Sequence, residues 1–181
     1  MLKKGFIFVI GVILIYIMIM AMLKLVFYPT KYKNEVERAA ENYSVDPYII
    51  FSVIKQESNF KAHASSTKGA SGLMQLLPAT AKEVAISMNS IDESNFDIYD
   101  AETNIYIGVK YLSELIQRYD GNIYIAIAAY NAGMGNVDKW YEQPYSSYDT
   151  IDKVIEKIEY KETKTYVINI ANYYNMYRKL Y

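Results

Sequence analysis

The chain has 181 residues, 52% of them hydrophobic and 22% charged, which suits one folded domain plus a short extra segment and excludes a disordered chain. A formal net charge of -1 supplies no field for holding nucleic acid. There is no cysteine, so disulfides and thiol catalysis are excluded, and a single histidine, His63, argues against a structural zinc site.

Gly5 to Leu23 carries no charge and is almost wholly apolar. About 20 such residues cross a hydrocarbon layer of roughly 30 Å. Lys3 and Lys4 precede the stretch, so the positive-inside rule puts the N-terminus in the cytoplasm and the remainder on the extracytoplasmic side. A cleaved signal peptide would have a shorter apolar region and a small-x-small site, whereas this stretch runs on through Met20-Ala21-Met22-Leu23. The expectation is a retained single-pass anchor over residues 1–28, with Lys24 and Tyr28-Pro29 marking its exit.

Residues 29–181 read as one all-helical domain with no alternating strand pattern. Lys33 to Tyr43 forms a polar-faced helix. Asp46-Pro47 is an N-cap followed by proline at the first helical position. Pro78 opens a helix to about Met88, and Asp100 caps a long one whose stripe is Ile105, Val109, Leu112 and Ile116. Gly108 lies on that stripe, where a missing side chain lets another helix come close. Asp120-Gly121 is a turn, Ile123 to Tyr130 is apolar all round like a buried central helix, and the last helix runs from about Glu162 to Leu180. The twenty tyrosines admit two readings, core packing under a compositional bias or a cleft that stacks and hydrogen-bonds sugars.

One acidic residue stands out. Ile50, Val53 and Ile54 form the apolar face of the second helix, and Glu57 follows at i+7, i+4 and i+3 from them, near the middle of that face. A carboxylate aimed at a core is costly unless paired or protonated, although a helix-terminal Glu can also rotate into solvent.

The sequence around it resolves into ordered motifs. Glu57-Ser58-x-Phe60 leads to Ser66-x-x-Gly69-Ala70-x-Gly72-Leu73-Met74-Gln75. Asp100-x-x-x-Asn104-Ile105-x-x-Gly108-x-x-Tyr111-Leu112 follows, then Ala129-Tyr130-Asn131-Ala132-Gly133-x-Gly135-x-Val137, then Glu162-Thr163-x-x-Tyr166-Val167. Together these resemble the family 1 lytic transglycosylases, the soluble-lytic-transglycosylase type with a goose-lysozyme-like helical fold. The resemblance runs from about Tyr32 to Tyr177. It departs from the usual pattern at Ala62, Leu77 and Lys164, where proline, methionine and arginine are common.

The resemblance implies cleavage of the bond between N-acetylmuramic acid and N-acetylglucosamine in peptidoglycan, without water, metal or cofactor. Glu57 would act first as acid and then as base, and the product would carry a 1,6-anhydro ring. Substrate contacts would come from Ser66, Gln75, Leu77, Tyr130, Asn131 and Glu162, with Tyr166 near Glu57. Glycosidases usually supply two carboxylates, one an acid held protonated by an apolar pocket. A lysozyme-type hydrolase of the same bond is therefore the rival enzyme, with Asp97, Asp100 or Glu102 as possible second acids. A non-catalytic wall-binding domain is the rival from another class.

Overall fold

A computed structural model describes residues 2–88, 96–141, 147 and 149–181, with side chains from residue 5 onward. The Lys3 and Lys4 side chains, on which the expected orientation rests, lie outside the described residues.

The first helix, α1, spans Leu2–Met22 and continues through one π-helical turn, Leu23–Phe27, which ends where Tyr28 N–H donates to Leu23 O at 2.8 Å. The apolar stretch is thus Gly5–Phe27, one turn longer than expected, because Leu25, Val26 and Phe27 extend it past Lys24. Along its flanks Phe6, Leu14 and Val26 are all exposed among the described residues. The helix is long and apolar enough to cross a bilayer.

The domain is all-helical and has no strand among the described residues: α2 Lys33–Tyr43, α3 Pro47–Ser58, α4 Pro78–Met88, α5 Ala101–Arg118, α6 Ile123–Ala132, α7 Met134–Trp140, α8 Ile151–Lys157 and α9 Lys161–Leu180. The expected caps form. Asp46 accepts from Tyr48 N–H at 2.8 Å with Pro47 behind it, and Asp100 accepts from Thr103 N–H at 2.9 Å. Helix α6 is the hub. Its residues Ile125 to Ala129 are buried, and it packs against α5, α7, α8 and α9. Helix α9 lies along both α3 and α6, while α2 rests on α5.

Ile50, Val53 and Ile54 are fully buried, so α3 presents its C-terminal end, and Glu57 with it, to the interior side of the domain. Asn59 and Phe60 then take left-handed backbone conformations, with φ of 48° and 64°. That conformation is unfavourable for phenylalanine, and the buried Phe60 ring, lying against Phe51, holds it in place. The chain reverses here and runs into the segment 61–77 facing the end of α3.

That segment has little regular structure beyond the isolated bridges Ser65–Ser71 and Ser71–Leu76. Its brace is Asn104 on α5, fully buried. Asn104 Oδ1 accepts from Met74 N–H at 2.8 Å, and its Nδ2 donates to Ser71 O at 3.1 Å and Ile98 O at 2.9 Å. Gly72 has φ of 82°, and a Cβ there would lie 2.2 Å from Asn104 Nδ2 and 2.7 Å from Ile98 O. Gly108 does admit a close neighbour, but the visitor is Met74 rather than a helix: a Cβ on Gly108 would sit 2.4 Å from Met74 Sδ.

Candidate active site

The end of α3, the segment 66–77, the end of α6 and the start of α9 enclose a cleft of about 490 Å³. Glu57 lines it, together with Ser66, Gln75, Leu77, Tyr130, Asn131 and Glu162. Seven of the eight residues singled out in the sequence therefore meet in one cavity, and the eighth, Tyr166, touches Glu57 from behind.

Glu57 is partly buried. Burial among apolar neighbours raises its pKa from 4.5 to about 7, against the opposing pull of a hydrogen bond donated by Tyr166 O–H to Oε1. Burial also pushes the Tyr166 and Tyr130 hydroxyls well above their usual range, and the nearby Glu57 charge adds to the effect. Both tyrosines therefore remain neutral donors. The arrangement is a carboxyl that is protonated near neutrality and keeps one fixed donor when it ionises.

The other side chains differ in what they leave free for a ligand. Ser66 Oγ accepts from Ala70 N–H at 3.0 Å, a bond that does not use its hydroxyl hydrogen, and the residue is exposed. Asn131 Oδ1 accepts from Thr163 O–H at 2.7 Å, which turns the amide and leaves its NH2 to donate. Leu77, nearly half exposed at 46%, is an apolar patch on the rim. Glu162 is exposed on the opposite rim and also lines an adjoining groove of about 410 Å³ with Gln56, Asn131 and Asn169.

Two of these side chains are already engaged within the protein. Gln75 has a left-handed backbone, φ 47°, and does not lead a helix. Its Nε2 donates to Ala64 O at 3.0 Å and Gly72 O at 2.9 Å, so the amide nitrogen braces the loop and only Oε1 remains for a ligand. Tyr130 O–H donates to Met74 O at 2.9 Å, so its hydroxyl hydrogen is committed to the loop. Among the described residues, the tyrosines lining this cavity are Tyr130 and Tyr160, while Tyr119 and Tyr177 are fully buried in the core.

Several lining residues were not anticipated. Thr163, buried, orients Asn131; it stood in the quoted Glu162-Thr163 pair and was the signal available. Lys68 brings a cation to the cleft, and Tyr160 closes its end, edge-on to Trp140 at 4.9 Å. The acids weighed for a hydrolytic partner are engaged elsewhere. Asp97 accepts from Tyr99 N–H, Asp100 caps α5, and Glu102 pairs with Arg38 at 2.8 Å. Among the described residues, the second carboxylate lining this cavity is Glu162. Among the described residues no group of three or more His, Cys, Asp and Glu side chains is placed to hold a metal.

Comparison with known proteins gives a consistent set of relatives. The family model for the transglycosylase SLT domain matches residues 34–152. The soluble lytic murein transglycosylase of Escherichia coli (strain K12) is 34% identical over 153 residues, covering 83% of this chain and 23% of its own length. The membrane-bound lytic murein transglycosylase C of Edwardsiella ictaluri is 31% identical over 169 residues, covering 83% of this chain and 47% of its own. Among solved structures, an inactive mutant of the lytic transglycosylase Slt from Pseudomonas aeruginosa superposes with a TM-score of 0.76 at 35% identity, over 84% of this chain and 24% of that one. A 70-kDa soluble lytic transglycosylase in complex with bulgecin A gives 0.74 at 32%, over 84% of this chain and 25% of that one. The chain spans about a quarter of the length of those soluble relatives.

Proposed function

The chain belongs to the transglycosylase SLT domain family, and on that premise we propose that it is a membrane-held lytic transglycosylase of peptidoglycan. Residues 29–181 form its catalytic domain, and residues 1–28 anchor it with the domain on the extracytoplasmic side. The observation that carries the reading is Glu57, a carboxyl in the cleft whose pKa burial raises to about 7 while Tyr166 donates to it.

Glu57 delivers its proton to the oxygen joining C1 of N-acetylmuramic acid to C4 of N-acetylglucosamine. That bond breaks, and the oxygen leaves as the C4 hydroxyl. The N-acetyl carbonyl of the same muramic acid supports the positive charge at C1. Its O6 hydroxyl then attacks C1, Glu57 takes the O6 proton, and a 1,6-anhydro ring closes with the acid restored. No water is consumed. A pKa near 7 suits a group that must donate and then accept one proton. The Tyr166 hydrogen bond stabilises the carboxylate half of the cycle. Ser66 O–H, the Asn131 NH2 and Gln75 Oε1 supply polar contacts, with Leu77 and the Tyr130 ring against the sugar faces and Glu162 on the rim.

Polymeric peptidoglycan digested with the full chain, followed by mass analysis of the muropeptides, tests the reaction. Anhydromuramic ends, one water lighter than hydrolytic ends, are expected. Predominantly reducing muramic ends would move the assignment to a hydrolase, the reading that Glu162 in the same cavity favours. An unaltered substrate would leave a wall-binding domain. Fractionation tests the anchor: the full chain should stay with membranes at alkaline pH, and recovery as a soluble form starting beyond Phe27 would remove it.

A further inference from the structure

Helix α9 is engaged at both ends. Its first turns carry Glu162 and Tyr166 to the cleft, and its far end closes around the segment that leaves the apolar helix. Tyr177 O–H donates to Pro29 O at 2.9 Å, and Tyr181 O–H donates to Tyr28 O at 2.9 Å and Lys24 O at 3.3 Å. The Tyr28 ring stands edge-on to Tyr177 and Tyr173, with centroids 5.5 and 6.3 Å away. Tyr177 also stacks on Phe51 of α3 at 5.6 Å, so the helix carrying Glu57 joins the same cluster. Two ammonium groups face its rings: Lys55 lies 5.3 Å from Tyr28 and 5.2 Å from Tyr173, and Lys24 lies 4.8 Å from Tyr181.

No glycine separates the apolar helix from α2; the chain passes through Tyr28-Pro29-Thr30-Lys31-Tyr32 with Tyr28 and Pro29 already gripped. A flexible linker of n residues would let the domain wander over roughly 5–6 Å × √n. Here that freedom is replaced by aromatic contacts, two tyrosine hydroxyls that donate to three backbone carbonyls, and a proline. From Tyr166 to Tyr181 is fifteen residues, or about 22 Å along the helix, so one rigid element joins the back of the cleft to the point where the chain turns apolar.

We propose that this tyrosine clasp makes the anchor a rigid stalk, holding the cleft at fixed height and orientation over the bilayer, and that it thereby selects glycan strands lying next to the membrane. The clasp residues are positioning residues, remote from the reacting atoms. The inference rests on the membrane and glycan-cleaving readings given above.

The test uses the full chain in bilayer vesicles and nanodiscs. Because the chain has no cysteine, Leu25→Cys with Thr67→Cys gives one spin-label pair spanning stalk and cleft rim. Pulsed electron resonance should return one narrow distance distribution. Tyr28→Ala with Tyr181→Ala should broaden it at least twofold. So should about a dozen Gly/Ser residues inserted between Phe27 and Tyr28, reaching roughly 20 Å, a change that keeps every clasp side chain and does not depend on the alanine variant folding. On vesicles bearing glycan strands attached to a lipid carrier, mixed with suspended wall sheets, the wild type should cut the lipid-attached strands about tenfold faster. Both variants should lose most of that preference while cutting short soluble glycans at the wild-type rate. A broad distribution in the wild type, no broadening in the variants, or an unchanged preference overturns the proposal alone. Failure to remain with the vesicles overturns the membrane reading and the proposal together, and failure to cut soluble glycan overturns the cleavage reading.

Discussion

The helical periodicity that buries Ile50, Val53 and Ile54 also withdraws Glu57 from bulk water, and the cost of ionising it there keeps its proton up to about pH 7. Spacing placed Glu57 on the buried face, since residues at i+3, i+4 and i+7 share a face, but left open a side chain rotated into solvent at the helix end. Its partner was less legible, because Tyr166 lies far along the chain and only the fold brings its hydroxyl to Oε1. Glu57→Gln keeps the shape without the acidic proton, and strand cleavage should fall by about two orders of magnitude or more, read as muropeptide release. The sign of the stability change follows from the raised pKa. The native state holds the proton more tightly than the unfolded chain, so stability is fully present below about 4.5 and is lost as pH rises through about 7. The full shift amounts to about 3 kcal/mol well above pH 7, and solvent in the cleft reduces it, so Glu57→Gln should be about 1–2 kcal/mol more stable than wild type at pH 8 and closely matched at pH 5. Thermal melts at the two pH values check this. In the proposed mechanism the free enzyme acts with Glu57 protonated, so kcat/KM should fall tenfold per unit above about pH 7. Tyr166→Phe removes the bond that lowers the Glu57 pKa, and the falling limb should move to higher pH.

At the scale of elements, long helices with caps were legible and short ones were not. Asp46-Pro47, Asp100 and the apolar run from Ile123 each announce a helix start. Helices α7 and α8 have seven residues each and no side-chain cap, too little for a period to register. They are held by the local bond from Asn136 Nδ2 to Ala132 O at 2.7 Å and by the longer-range one from Tyr141 O–H to Val154 O. The segment 61–77 was read as a run of motif residues, and its shape comes from Asn104, one buried amide making three hydrogen bonds to the backbone. Asn104→Ala strands those backbone groups out of water and should cost about 2–4 kcal/mol in chemical denaturation, with activity falling as well because Gln75 loses its frame. Gly108→Ala drives a methyl into Met74, whose Cβ would lie 2.9 Å away, and should cost about 1–3 kcal/mol. Gly108→Ala combined with Met74→Ala should recover part of that loss, which a purely helical-propensity effect would not predict.

For the molecule as a whole, the order of four motifs carried the fold, because each one names a piece of the same helical frame. The tyrosine cluster carried no such signal. Tyr28, Phe51 and Tyr177 come from three distant parts of the chain, and nothing local marks them as partners. The contacts of Tyr28 and Tyr181 tie residues 29–181 to the segment that leaves the apolar helix. The principal core, from Val36 to Tyr177, lies wholly within those residues, so a fragment beginning at Pro29 should fold unaided. It loses the edge-on contacts of Tyr28 with Tyr173 and Tyr177, and Tyr181 loses both of its acceptors. Aromatic pairs of this kind contribute about 0.5–1.5 kcal/mol each and a solvent-facing hydroxyl bond less, so the fragment should be about 1–3 kcal/mol less stable than the full chain. For a domain of this size that is a fall in Tm of about 2–10 °C, with both proteins melted in the same mild detergent. Cleavage of short soluble glycans should be unchanged, because Glu57, Tyr166 and the braced segment remain intact. A fragment that melts with the full chain would show that the clasp contributes nothing to stability, and one that fails to fold would move residues 1–28 from anchor to core.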